Sequence, residues 1–188
     1  MKVQTLQKLR QLRKKYDSGP FGKIAQKLLA LSFRETGYTH IVERSIEGVD
    51  IDIAGEAGRK FALEVKTTDG LSISLTPDNI QGLRERVRDG YLPVIAALRL
   101  AVFENWILAG VPLNELSAGQ VLIDRLRAYR MSEVEQVLGP AFEQVVEKHF
   151  QGTLKGGQRY LNEQVQQRGL DVRDFQITDG SHDNGIVV

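Results

Sequence analysis

Apolar residues recur every three to four positions at the start of the chain. Val3, Leu6, Leu9, Leu12 and Tyr16 form a stripe that ends at Asp17-Ser18-Gly19-Pro20, which predicts one short helix and a turn. A second helix is predicted from about Phe21 to Thr36, with Ile24, Ala25, Leu28, Leu29 and Phe33 inward and Gly37 as its stop. The period then changes to two. His40–Ile46, Val49–Ala54 and Phe61–Lys66 read as strands, the last two joined across Gly55–Gly58 as a hairpin. Thr76-Pro77-Asp78 opens a helix reaching about Asp89, and Pro93–Leu100 and Val102–Leu108 are apolar runs suited to buried strands.

Beyond Pro112 the pattern reads as helical throughout. Val121, Leu122, Leu126 and Tyr129 form one stripe, and Ser132-x-x-Glu135 is a capping box leading toward Phe142, Val145, Val146 and Phe150. Helix, three strands, helix, two strands predicts an α/β fold with a sheet of mixed direction, not a strict βαβ alternation. Four segments follow: a basic N-terminal helix (1–19), an α/β core (20–111), a helical C-terminal extension (112–178) and a Gly/Ser/Asp-rich, flexible tail (179–188).

Charge sharpens the picture. The net charge of +1 hides eight Lys/Arg against a single Asp within residues 1–28, a local balance of +7 on a body of −6. Lys8, Arg10, Arg13, Lys14, Lys15 and Lys23 are therefore candidates for gripping nucleic-acid phosphates. The competing reading is a solvated helix face. Absence of cysteine excludes disulfides and thiolate chemistry, and His40, His149 and His182 lack metal-ligand spacing. No P-loop or GxGxxG motif implies a nucleotide cofactor. Without an apolar run long enough for a membrane span, the protein is expected in the cytoplasm.

The informative stretch is GVDIDIAGEAGRKFALEVKTT, residues 48–68. Strand alternation puts Val49, Ile51 and Ile53 on one face and Asp50 and Asp52 on the other. On the next strand Ala62, Glu64 and Lys66 share a face opposite Phe61, Leu63 and Val65. Two carboxylates suit a hard divalent ion, and a lysine two residues away can face the same phosphate. Chance charges on a solvated hairpin are the bland alternative. An apolar run around Glu64 and Lys66, arguing a central strand, speaks against it.

This hairpin resembles the active site of the PD-(D/E)xK nuclease superfamily, and is similar to its archaeal-type Holliday junction resolvase, Mrr-like and RecB-like branches. The resemblance spans about residues 20–110. It implies a restriction-endonuclease-like core, Mg²⁺ or Mn²⁺ as cofactor, and DNA as substrate for phosphodiester hydrolysis in resolution, repair or restriction. It implies Asp52 and Glu64 as metal ligands and Lys66 as catalytic lysine; Asp50, on the same face and placed where a regular hairpin could put it opposite Glu64, is a substitute or supporting carboxylate. A homodimer is expected by the same analogy. One position departs: resolvase-like members carry Gly-x-x-Ala-Glu in the first helix, whereas this chain has Gln26 there. That departure leaves open a non-catalytic nucleic-acid-binding or assembly module on the same fold. Gln81 and Tyr91, Arg84, Arg86 and Arg88, Thr67 and Thr68, and the turn Lys155–Tyr160 are weaker signals, each with an ordinary structural explanation.

Overall fold

The computed structural model describes residues 1–44, 48–55 and 58–173. The 179–188 tail and His182 lie outside them. Helices α1 (Val3–Lys15) and α2 (Ser18–Glu35) lead into β1 (His40–Arg44), β2 (Ile51–Ala54) and β3 (Lys60–Thr68). Then come β4 (Ser72–Leu75), α3 (Pro77–Arg88), β5 (Leu92–Arg99) and β6 (Ile107–Ala109). After a 3₁₀ turn at Leu113–Glu115 come β7 (Gly119–Leu122), α4 (Ile123–Arg127), α5 (Ser132–Gln167) and β8 (Asp171–Arg173).

The main sheet runs β6-β5-β3-β2-β1-β8. β2 is antiparallel to β1 and β3, β5 is parallel to β3, and β8 is parallel to β1. This is a mixed sheet, as the order of elements predicts, and β3 lies at its interior. Alternation along β2, β3 and β5 feeds two cores. Ile51, Ile53, Phe61, Leu63, Val94 and Ala96 pack with α1, α2 and α5. Ala62, Ile95 and Ala97 pack with α3, α4 and the small β4–β7 sheet. The face bearing Glu64 is thus covered by α3, which removes the solvated-hairpin alternative.

Several expectations need correction. The segment after Pro112 is not helical throughout: β7 pairs with β4, and β8 joins the main sheet. Val121 and Leu122 alternate as a strand does, with Val121 inward and Leu122 outward. The Ser132–Glu135 capping box is not made. Glu135 instead accepts the Leu108 backbone N–H at 2.8 Å and pairs with Arg130, tying α5 to β6. Where a strand is predicted over 102–108, the strand is the shorter Ile107–Ala109. β4 was not foreseen, because its four residues offer too short an alternation. Ser18-Gly19-Pro20 forms the first turn of α2, where proline's missing N–H costs no intrahelical bond. Ile46 lies outside the described residues.

α1 is no free arm. Leu6, Leu9 and Leu12 are buried, each removal from water contributing roughly 2 kcal/mol, while Val3 is exposed. Among the described residues, no helix is long and apolar enough to cross a membrane.

Candidate active site

Asp50 sits where the chain enters β2. Register pairs Ile51 with Leu63, so Asp50 falls beside Glu64 one step further on. Its Oδ2 accepts the Val65 backbone N–H at 2.8 Å, and its Oδ1 lies 3.3 Å from Lys23 Nζ on α2. Lys23 also donates to Gln26 Oε1 at 3.0 Å. The Gln26 amide nitrogen donates to the carbonyls of Asp50 (3.0 Å) and Arg44 (3.4 Å), so α2 ties the end of β1 to the entry of β2.

Glu64 is 2% exposed. Its Oε1 pairs with Lys66 Nζ at 2.8 Å, while its Oε2 is buried without a hydrogen-bond partner. Lys66 also donates to Asn79 Oδ1 at 3.1 Å. Asn79 belongs to a capping box with Thr76, so the start of α3 fixes the lysine. Burial, reinforced by the negative charge of Asp50, pushes Glu64 up to about 7 against the pull of Lys66 and Lys23. A buried acid stands beside a second, part-exposed one, an electrostatic state that a divalent cation would relieve.

Asp52 lies on the same face but points elsewhere. It is 2% exposed, and its Oδ2 accepts Arg44 Nε at 2.9 Å and lies 3.2 Å from Arg86 Nε. Beneath the sheet's other face, Lys27 and Glu43 form a buried pair at 2.7 Å. Burial lowers Lys27 and raises Glu43, each opposed by its partner.

The structure therefore brings together Asp50, Glu64, Lys66, Gln26 and Lys23, and turns Asp52 toward two arginines. Most basic candidates on α1 are engaged. Lys8 pairs with Glu147, Arg10 Nε donates to the Leu100 carbonyl at 2.9 Å, and Lys15 donates to the Leu154 carbonyl. Arg13 lies 4.0 Å from Asp69, and Lys14 is exposed. Gln81 turns to Glu85, and Tyr91 sits under Lys60 at the far end of β3. The Lys155–Tyr160 turn is a kink in α5, with Gly157 at φ 53° and Tyr160 O–H 3.0 Å from His149 Nδ1. Sequence reading missed Asn79 and Arg44 as partners of the site and gave Arg86 only as a weak signal; Asn79 and Arg86 come in with α3, and Arg44 with the β1–β2 pairing. The i, i+3 spacing of Lys23 and Gln26 was the available signal for Lys23.

Among the described residues, no group of three or more His, Asp or Glu could hold a metal. Two buried carboxylate oxygens on this face lack a hydrogen-bond partner, Glu64 Oε2 and Asp52 Oδ1, while Asp50 meets the Val65 N–H on one oxygen and Lys23 on the other. One or two carboxylates plus waters and substrate phosphate is how proteins commonly hold Mg²⁺.

No family model matches the chain, and no curated protein matches it. Among solved structures, it is similar to Hjc, a Holliday junction resolvase from Archaeoglobus fulgidus. Identity is 17%, the match covers 56% of this chain and 93% of that one, and the TM-score is 0.44. At that score the overlap adds nothing to the site, whose chemistry rests on its own residues.

Proposed function

We propose that this chain is a Mg²⁺- or Mn²⁺-dependent DNA endonuclease with a restriction-endonuclease-like core, centred on Asp50, Glu64 and Lys66. The observation that supports it is the buried Glu64 carboxylate, set beside Asp50, clasped on one oxygen by Lys66 and open on the other. Asp50 and Glu64 would hold the ion, which would supply Lewis-acid polarisation of the phosphodiester and of an attacking water. Lys66, positioned by Asn79, offers its ammonium to charge developing on the phosphate. Lys23 balances Asp50 in the metal-free protein and stands ready as a second cation beside the substrate.

Gln26 keeps the β2 entry in place through its amide and adds no charge to the donor set. Asp52 is assigned here to holding Arg44 and Arg86, in place of the ligand role that the family resemblance implies for it. Resolution of branched DNA or DNA repair ranks above restriction, and a homodimer would let two such centres cut two strands.

Calorimetric titration with Mn²⁺ tests the assignment. Wild type and Asp52→Asn bind the ion, whereas Asp50→Asn and Glu64→Gln lose it. Loss in Asp52→Asn with retention in Asp50→Asn would return the ligand role to Asp52.

A further inference from the structure

Arg44 and Arg86 meet on one oxygen of a buried aspartate, next to a centre that has no need of them for its own charge balance. Arg44 Nε donates to Asp52 Oδ2 at 2.9 Å, and Arg86 Nε lies 3.2 Å from the same oxygen. Asp52 Oδ1 is buried with no hydrogen-bond partner. Arg86 has a second acid, Asp89, at 2.8 Å from its terminal nitrogen. Arg44 has none: both its terminal nitrogens stay clear of protein partners among the described residues, and its side chain is 24% exposed.

The four groups cancel formally, yet they are not placed alike. Asp52 is buried and its charge is met from above by two guanidinium groups. Asp89 is 55% exposed and pairs with Arg86. A guanidinium pinned through Nε cannot rotate freely, so its other two nitrogens form a fixed fork that matches two oxygens of a phosphate. The fork's location matters as much as its shape. The Arg44 backbone N–H donates to the Asp50 carbonyl at 2.9 Å, so the two residues are neighbours across β1 and β2. Asp50 and Asp52 lie two residues apart on one face, a separation of about 7 Å.

We infer that Arg44, oriented by Asp52 and seconded by Arg86, binds a backbone phosphate of the nucleic acid next to the one held at Asp50 and Glu64. The inference rests on the nuclease reading of that centre. Asp52 and Arg86 are positioning residues, and only Arg44 touches the ligand. The site is sequence-independent, because phosphate carries no base information. It also gives Asp52 a reason to be acidic without being a metal ligand.

The test is equilibrium binding of a labelled DNA duplex in EDTA over a series of KCl concentrations, with wild type, Arg44→Gln and Arg44→Lys. Arg44→Gln leaves Asp52 paired with Arg86, and a thermal melt confirms that it folds. Loss of one phosphate contact makes the log–log salt slope shallower by about 0.9 and weakens binding roughly tenfold at moderate salt. Arg44→Lys keeps most of the slope but loses affinity, because an ammonium cannot supply the planar fork. An unchanged slope in a folded Arg44→Gln protein overturns the inference and leaves the three residues as a structural ion cluster.

Mn²⁺ titration of the same proteins separates this from the parent reading. If wild type binds no Mn²⁺ while Arg44→Gln still shifts the slope, the nuclease assignment falls and the phosphate site stands. If Mn²⁺ binds equally to both and the slope does not move, the phosphate site alone falls.

Discussion

Asp50 accepts the backbone N–H of Val65 at 2.8 Å, and that bond fastens its carboxylate between the two side chains flanking Val65 on β3. Val65 itself turns toward the α1–α2–α5 core, so Glu64 and Lys66 turn toward α3. The same alternation that buries the valine thus exposes an acid and a base to one aspartate. A backbone donor holds the aspartate in place without consuming the lysine.

The electrostatic strain at Glu64 makes stability depend on pH. Its pKa in the fold, about 7, lies above that of an unfolded glutamate, so the folded protein binds the proton more tightly. This contribution is flat below the unfolded value near 4, falls as pH rises toward 7, and is flat again above it. The full cost is on the order of 3–4 kcal/mol. Glu64→Gln should therefore raise the melting temperature of the metal-free protein at pH 8 and leave it nearly unchanged at pH 4. Mn²⁺ should stabilise wild type at pH 8 and not the variant. Equal melting temperatures at pH 8 would show that Glu64 is not under this strain.

Gln26 answers whether the helix position is a vacant ligand site. Its amide nitrogen donates to two backbone carbonyls, which a carboxylate cannot do. Gln26→Glu is expected to lower stability by about 1–3 kcal/mol and to weaken Mn²⁺ binding, because it places a charge against two carbonyl oxygens. Tighter Mn²⁺ binding in this variant would identify the position as a ligand site after all.

Gly82 tests how α3 fixes the centre. A methyl group there would lie 2.6–2.9 Å from the backbone of Gly48, just before Asp50. Gly48 itself has φ +85°, a conformation that glycine adopts freely. Gly82→Ala should push α3 away from the β2 entry, costing about 1–3 kcal/mol despite alanine's better helix propensity. Its Mn²⁺ affinity should fall with its melting temperature. A variant as stable as wild type would mean the contact is slack.

Much of this was legible in the chain, and the limits have physical reasons. Alternation over residues 50–66 placed Asp50, Asp52, Glu64 and Lys66 on one face, because strand period survives any tertiary context. A regular hairpin could already put Asp50 opposite Glu64, and the observed register does so, but alternation alone did not choose between Asp50 and Asp52 as the main ligand. The +7 balance near the N-terminus was plain, but composition does not report partners. Acids about 140 residues away on α5, Glu143 and Glu147, reach Lys2 just before α1 and Lys8 within it. β7 and β8 were missed because short strands take their structure from pairing with distant segments, not from their own residues.

Lys66 is expected to act within a metal-dependent cleavage centre. The most direct measurement of that role is cleavage of duplex, single-stranded, flap and four-way DNA with Mn²⁺, for wild type and Lys66→Ala side by side. Wild type should cut at least one of these substrates, and only with the metal present. Lys66→Ala should cut it slower by about 10²–10³ while binding the DNA almost as well, since its ammonium acts mainly on charge formed in the transition state. Equal cleavage by the two proteins, or none by wild type on any substrate with Mn²⁺, would contradict the assignment.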